Sequence, residues 1–246
     1  MNKASNIIPT FIIIIVILAI GAAIYVFITQ KYGVSINNTA GTGVEANGKS
    51  TIQLPEPRTN SNTSIEQALK QRRSVREYKD DPLTLSELSQ LLWAAQGQTN
   101  PKGYRTAPSA GALYPLEMYV AAGNVSDLPV GVYHYNSKEH TLTKRVDGDK
   151  RAELYETALS QSAVKDAAAV IILTAEYART TVKYGNRGIR YVHLETGHAA
   201  QNIYLQAVAL NLGTVTIGAF DDNKVKNIIA ASDKEVPLYL MPVGKK

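Results

Sequence analysis

The stretch RYVHLETGHAAQNIYLQAVALNLG, Arg190–Gly213, decides the fold that the sequence predicts. Its apolar residues Ile203, Ala207 and Leu210 recur at spacings of four and three. This period predicts one long helix with a single buried face. Small residues in its first half allow close packing by another helix, and Gly213 is expected to end it.

Capping boxes predict two shorter helices N-terminal to the long one. In a capping box, a Ser or Thr and a Glu or Gln three residues later each bond the other's backbone N–H. Ser64 and Gln67 mark the first helix, and Thr84 and Glu87 mark the second, which Gly97 is expected to end. The apolar faces expected to be buried are Ile65, Ala68 and Leu69 in the first, and Leu85, Leu88, Leu91, Leu92 and Ala95 in the second.

Several segments have the alternating or continuous apolar patterns that are typical of strands. Residues 116–122 form one strand, and GVYHYNSKEHTLTKRV predicts a hairpin with its turn at residues 136–139. The continuous apolar run AAAVIILTAEY predicts a fully buried strand, and TVTIGAF and PLYLMPVG predict two more. Strands and helices alternate without a regular βαβ repeat, so the predicted class is α+β.

The N-terminal region is predicted to lie outside this domain. Ile7–Thr29 contains no charged residue and is long enough to cross a hydrocarbon core of about 30 Å. We therefore expect a membrane anchor at residues 1–30, a flexible polar linker at 31–61 and a packed domain at 62–246. One lysine flanks each end of the span, and the linker is poor in basic residues, which favours a domain outside the cytoplasm.

Composition excludes several classes of function. The chain of 246 residues contains no cysteine, so thiolate metal sites, disulfides and cysteine nucleophiles are excluded. Its net charge of +5 is spread among 21 acidic residues, without the basic stripe of a nucleic-acid-binding protein. His193 and His198 are five residues apart, so they face different sides of a helix and predict no metal site.

The stretch QRRSVREY, Gln71–Tyr78, concentrates positive charge directly after the first predicted helix. Arg72, Arg73 and Arg76 surround Ser74, a set that could bind a phosphate through charge-assisted hydrogen bonds. The alternative is a solvated basic end that complements the negative pole of the helix.

A second stretch, RTAPSAGALYP at residues 105–115, has small side chains that let backbone N–H groups approach a ligand closely. The alternative is a plain surface loop. Neither the Walker pattern nor G-x-G-x-x-G occurs, which excludes those two phosphate cradles.

In their order along the chain, RRSVREY, APSAGALYP, TIGAF and LYLMPVGK resemble the nitroreductase superfamily of FMN enzymes. The segment KYGNRGIRYVHLETGHAAQN is similar to its SagB-type branch, which includes dehydrogenases that oxidise thiazolines and oxazolines in modified peptides. The resemblance covers residues 62–245. It implies a nitroreductase-like α+β fold with a mixed central sheet flanked by helices, and a homodimer formed through the long helices with two FMN sites between the subunits.

The resemblance also implies which residues bind FMN. Arg72, Ser74 and Arg76 would hold the phosphate and ribityl chain, with Arg73 nearby. The residues that would pack along the flavin from the partner subunit are Pro108, Ser109, Ala110 and Ala112. Gly218 and Ala219 would lie beside the ring, and Lys245 would close over the phosphate.

Lys183 and Tyr184 in VKYGNRG are the candidate catalytic residues, because they resemble the Lys-Tyr pair of the azoline-oxidising branch. Dehydrogenation removes a hydride and a proton, so a base must lie near the substrate carbon. A lysine can serve only if desolvation or cations such as Arg187 and Arg190 lower its pKa from about 10.4. The alternative is a solvated lysine beside a packing tyrosine.

These expectations combine into a membrane-tethered FMN oxidoreductase that transfers hydride between a small-molecule or peptide substrate and flavin N5. Two alternatives are an NAD(P)H-dependent nitro or quinone reductase and a tethered flavin-binding module with little turnover. Ala112 and Tyr114 stand where oxygen-insensitive nitroreductases usually carry Asn and Gln, which argues against nitroaromatic reduction. No nicotinamide-binding domain is visible, so NAD(P)H would have to visit the same flavin face as the second substrate.

Overall fold

A computed structural model describes residues 43–44 and 50–246. Within them one sheet has the strand order β1-β2-β5-β4-β3-β6-β8-β7, and all its neighbouring strands are antiparallel. The strands are β1 Gly43–Val44, β2 Ser50–Gln53, β3 Leu116–Ala122, β4 Gly131–Asn136, β5 Thr141–Asp147, β6 Ala169–Ala175, β7 Leu212–Thr214 and β8 Val236–Lys245. The predicted α+β class is confirmed. The predicted mixed sheet is wrong: β3, β4 and β5 follow one another as hairpins, which are antiparallel by construction, and β6 pairs antiparallel to β3 on its other side.

Both predicted capping boxes are present, with Ser64 bonding Gln67 and Thr84 bonding Glu87. The helices are α1 Ile65–Gln71, α2 Leu85–Gln96, α3 Arg151–Thr157, α4 Ala163–Asp166, α5 Ala178–Tyr184, α6 Arg187–Ala209 and α7 Asp222–Ile228. Gly97 is the C-terminal cap of α2, as predicted.

The sheet is covered on both faces because alternate residues of its central strands are apolar. On one face Ile171 of β6 packs in a cluster with Leu91 of α2 and Ile203 of α6. On the other face Ile172 packs in a second cluster with Ile229, which follows α7. Every residue of β6 is buried, as its continuous apolar run predicts.

The long helix is confirmed, but its end differs from the prediction. The helix finishes at Ala209, and Gly213 lies in β7 instead of capping it. Asn211 ends the helix, because its φ of 57° is the left-handed conformation that asparagine tolerates and an α-helix cannot contain.

The predicted apolar face of α1 is only partly buried. Ala68 is 4% exposed, whereas Ile65 and Leu69 are 56% and 55% exposed on the single chain. The helix therefore contributes little to the core of the chain.

The predicted flexible linker, residues 31–61, proves partly structured. Ser50–Gln53 pairs antiparallel with β5, and Leu54 is buried in the core cluster below α2. The backbone N–H of Arg58 then donates to Gln90 Oε1 at 2.7 Å. These contacts place residues before the predicted boundary at residue 62 in the fold. The alternation that puts Leu54 in the core is too short to be recognised within a polar segment.

The structure contradicts the predicted membrane localisation, because none of the helices in residues 50–246 is both long and apolar enough to cross a membrane. The longest of them, α6, carries polar residues such as Arg187, Arg190 and Gln201. The predicted span, Ile7–Thr29, lies outside the described residues.

Candidate functional site

The segment after α1 brings two of its predicted binding residues to the same tyrosine. The guanidinium of Arg72 lies 5.0 Å from the centroid of the Tyr204 ring. The hydroxyl oxygen of Ser74 lies 3.2 Å from Tyr204 Oη. The backbone N–H of Thr216 donates to the same Tyr204 oxygen at 2.9 Å. We refer to Arg72, Ser74, Tyr204 and Thr216 as the arginine cluster.

The other two arginines of the segment face different neighbours. Arg73 donates from Nη1 to the carbonyl oxygens of Lys70 and Arg72, at 3.0 and 2.6 Å. It therefore complements the C-terminal end of α1, as the alternative reading of this segment expects. Arg76 lines a polar cavity farther along the segment, together with Arg151 and Lys165. The three arginines do not converge on one point.

Gly218 and Ala219 follow the arginine cluster directly. Thr216 is bonded to Tyr204, and Ile217 then forms an antiparallel bridge with Leu240 of β8. The next two residues, Gly218 and Ala219, are exposed. The predicted pair thus follows, within three residues, Thr216, which shares the Tyr204 hydroxyl with Ser74, although more than 130 residues separate the pair from Ser74 in sequence.

Lys245 is held at the end of β8 by a carboxylate. Its Nζ lies 2.5 Å from Glu87 Oε1, and its backbone bridges Lys79 in the segment that carries the arginines. Burial raises the pKa of Glu87, but Lys245 and the Thr84 cap outweigh this effect and leave that pKa below its ordinary value. Glu87 therefore fixes the position of the predicted phosphate-closing lysine.

The loop that carries Pro108 and Ser109 has an unusual backbone. A short 3₁₀ turn spans Ala110–Ala112, and Ser109 Oγ accepts a hydrogen bond from Tyr114 N at 2.9 Å. Gly111, Ala112 and Tyr114 have φ values of 65°, 54° and 46°. Positive φ at two residues with side chains costs conformational energy, and such conformations concentrate at functional sites.

Lys183 and Tyr184 lie against this turn. A Cβ placed on Gly111 would be 2.8 Å from Tyr184 Oη and 3.0 Å from Lys183 Nζ, so the ends of both side chains lie close to this glycine. The φ of 65° at Gly111 also favours glycine there. The two residues form the last turn of α5, and Tyr184 stacks edge-on against Tyr191 at 5.1 Å. The structure therefore brings the predicted catalytic pair to the predicted flavin-packing loop.

Glu195 of α6 lies on the other side of the same loop. It is 3% exposed, and it lines a cavity of about 290 Å³ with Pro108, Ser109 and Ala110. Burial raises the pKa of Glu195 to about 7, against the opposing effects of Ser109, Arg105 and Gln96. Among the described residues its Oε1 has no hydrogen-bond partner. We refer to Pro108–Ala112, Lys183, Tyr184 and Glu195 as the serine-loop cluster.

The two clusters lie at different heights along α6. The serine loop adjoins Glu195, whereas the arginine cluster is built on Tyr204, nine residues later. At 1.5 Å per residue this spacing is about 13 Å along the helix axis. The two clusters of one chain are therefore offset along α6 by about 13 Å.

Three of these residues were not candidates from the sequence: Tyr204, Thr216 and Glu195. Tyr204 and Glu195 lie on the buried face of a helix. From the sequence alone, a tyrosine in a helix is usually interpreted as a packing residue and a glutamate as a solvated surface residue. The sequence signal for Glu195 is an acidic residue within an apolar stripe, because a buried carboxyl group needs a hydrogen-bond partner or a functional role.

An antiparallel sheet flanked by helices, with one long helix packed against it, is a nitroreductase-like α+β fold. The chain belongs to the nitroreductase family of oxidoreductases, whose family model matches residues 69–245. A nitroreductase-family protein of Methanocaldococcus jannaschii is 49% identical over 195 residues, which cover 79% of this chain and 96% of that relative.

Solved structures share the fold. A nitroreductase-family protein of Ralstonia eutropha JMP134 superposes with a TM-score of 0.70 at 29% identity, covering 79% of this chain and 89% of the other. The E. coli microcin synthetase complex McbBCD, solved with truncated pro-MccB17, gives a TM-score of 0.62 at 22% identity over 78% of this chain and 77% of the other. This last likeness shows the fold alone.

Proposed function

We propose that the chain is an FMN-dependent oxidoreductase of the SagB-type group, active as a homodimer, which transfers hydride between flavin N5 and a small-molecule or peptide substrate. The observation that carries this proposal is the contact of Lys183 and Tyr184 with Gly111. This contact brings two side chains that can transfer protons next to a loop whose small side chains leave room for a flat ring. These residues come from separate parts of the sequence.

The arginine cluster fits the phosphate of FMN. Arg72 and Ser74 offer a permanent cation and a hydroxyl at a partly open surface. Lys245 bridges the same segment through its backbone at Lys79, and its ammonium is paired with Glu87. Charge-assisted hydrogen bonds from such donors suit a phosphate dianion. When bound, the flavin would supply the redox chemistry, and the chain would supply position, charge and proton transfer.

A homodimer is proposed because one chain keeps the two clusters apart. A second copy would bring its serine-loop cluster to the arginine cluster of the first. The exposed apolar residues of the helical layer would supply part of the contact: Ile65, Leu69, Ile189 and Leu194. Large apolar side chains that cluster on a surface are typical of such interfaces.

The SagB-type assignment and the peptide substrate rest on the Lys183–Tyr184 pair and on the fold shared with McbBCD. In a dehydrogenation the substrate gives up a proton as well as a hydride. Lys183 would accept that proton, and Tyr184, packed between Gly111 and Tyr191, would relay it or orient the substrate.

The absorbance spectrum of the purified chain tests the cofactor. We expect bands of noncovalently bound FMN that bleach with dithionite and are released on denaturation. A purified chain that has no flavin bands and takes up no added FMN would overturn the proposal. Redox cycling with candidate electron donors then separates an enzyme from a binding module.

A further inference from the structure

Tyr204 connects two segments whose roles the sequence predicts independently. Its side chain is 8% exposed, and its hydroxyl lies 2.9 Å from Thr216 N, 3.2 Å from Ser74 Oγ and 3.4 Å from Thr216 Oγ1. One buried phenol thus contacts both the arginine segment and the strand end that leads to Gly218.

The direction of these hydrogen bonds follows from the donor inventory. A backbone N–H can only donate, so Tyr204 Oη accepts from Thr216. The phenol hydrogen then points at another acceptor, and Ser74 Oγ is nearer than Thr216 Oγ1. If Ser74 accepts from Tyr204, its own O–H is left to donate outward. Ser74 is exposed, so that donor faces the ligand side.

The surroundings strengthen this donor chain. A phenol that accepts a hydrogen bond at its oxygen becomes a stronger donor, because hydrogen bonds in a chain polarise one another, so the Thr216 N–H strengthens the Tyr204 O–H. The Arg72 guanidinium, 5.0 Å from the centroid of the Tyr204 ring, acts in the same sense.

We propose that Tyr204 is a positioning residue for a phosphate ester: it orders a relay from Thr216 N–H through Tyr204 O–H to Ser74, whose hydroxyl then donates to the phosphate. With FMN as the ligand the inference rests on the proposed function. The relay itself requires only a phosphate group.

The test compares FMN with riboflavin, which has the same ring system and no phosphate. Tyr204→Phe should weaken FMN binding by about tenfold, the scale of one lost hydrogen bond to a charged group, and leave riboflavin binding within about twofold of the parent. Ser74→Ala should give a similar loss. The double variant should lose little more than either single variant, because both substitutions remove the same relay.

Tyr78→Phe is the matched control. The Tyr78 hydroxyl is also part-buried on this segment, but it donates to the carbonyl oxygens of Val75 and Pro242. The control should lower thermal stability without changing the ratio of FMN to riboflavin affinity. Equal weakening of both flavins by Tyr204→Phe, or additive losses in the double variant, would overturn the relay.

Inorganic phosphate separates failure of the relay from failure of the proposed function. Phosphate should raise the melting temperature of the parent and of Tyr78→Phe more than that of Tyr204→Phe. If the parent binds no flavin but shows this pattern, the relay stands and the FMN assignment fails. If phosphate stabilises all three equally or none of them, the relay is wrong.

Discussion

The arginine cluster and the serine-loop cluster lie on the same helix and use different physical means. In the arginine cluster, side chains far apart in sequence meet through hydrogen bonds around Tyr204, and Arg72 carries a permanent charge. In the serine-loop cluster the backbone itself is strained, and Glu195 is a buried group that titrates near neutral pH. A fixed charge suits binding, whereas titratable groups beside a strained loop suit a reaction.

This difference implies that affinity and turnover can be separated by mutation. Substitutions in the arginine cluster should change how much cofactor is bound. Substitutions in the serine-loop cluster should change what the bound cofactor can do.

The largest effect is expected from Lys183 and Tyr184, the proposed catalytic pair. Lys183→Ala and Tyr184→Phe should each reduce substrate turnover by about 10²-fold or more, the scale of a lost general acid or base, while FMN affinity changes little. Tyr155→Phe is a matched control, because Tyr155 also packs beneath a lysine, Lys165 at 4.7 Å, away from the loop. Parent-like turnover in both variants would place proton transfer elsewhere.

Glu195 makes the comparison testable by pH. Burial raises its pKa to about 7 from an ordinary value of 4.5, so the folded chain holds this proton more tightly than the unfolded chain. The stabilisation is complete below about pH 4.5 and is lost as pH rises through about 7. Glu195→Gln stays neutral, so its free energy of unfolding relative to the parent should increase by roughly 2 kcal/mol between pH 5 and pH 8.

Urea unfolding at both pH values measures this change, with the exposed Glu153→Gln as the control. A difference between variant and parent that does not depend on pH would show that Glu195 is ionised throughout. The carboxyl would then be acting as a paired anion with Arg105.

A smaller effect is expected in the arginine cluster. Arg72→Ala should raise the dissociation constant for FMN by roughly ten- to thirtyfold, as expected for one charge-assisted hydrogen bond. At saturating FMN the turnover rate should return to near the parent value. Arg73→Ala should weaken FMN by less than about threefold, because its guanidinium serves the carbonyl oxygens at the end of α1. If Arg73→Ala weakened FMN binding more than Arg72→Ala, the phosphate would bind beside Arg73 instead of Arg72.

The sequence predicted the fold best where periodicity was long or caps were explicit. The 23-residue helix α6, the capping boxes at Ser64 and Thr84, and strand β6 are examples. Helices α3, α4 and α5 were not predicted, because each spans seven residues or fewer and lacks a side-chain cap. Tertiary packing stabilises such short helices, and a local pattern does not reveal it.

The site shows the same division. The resemblance predicted roles for the segments with Arg72, Ser109 and Lys183, but only the fold shows which of these segments meet. Arg73 faces away from Arg72, because an extended chain turns successive side chains to opposite sides. Arg76, four residues after Arg72, lines a different cavity. Tyr204 contacts Ser74, and Glu195 lies beside Ser109; both partners are more than 80 residues away in sequence, so no local pattern encodes these contacts.

The smallest expected effect is the most direct test of how the two clusters combine. In the proposed dimer each site takes its arginine cluster from one chain and its serine-loop cluster from the other. A mixed dimer of an Arg72→Glu chain and a Lys183→Ala chain would then contain one doubly impaired site and one parent-like site. Its activity should be about half that of the parent dimer.

Two differently tagged chains, co-expressed and purified through both tags, provide this mixed dimer at a fixed FMN concentration. The two homodimeric variants are the controls, and each should be nearly inactive under the same conditions. If both clusters of a site came from one chain, each site of the mixed dimer would carry one substitution, and the activity would stay as low as in the controls. Recovery of about half therefore supports a shared site, because the 13 Å that separate the clusters along α6 in one chain would then be bridged by the second copy.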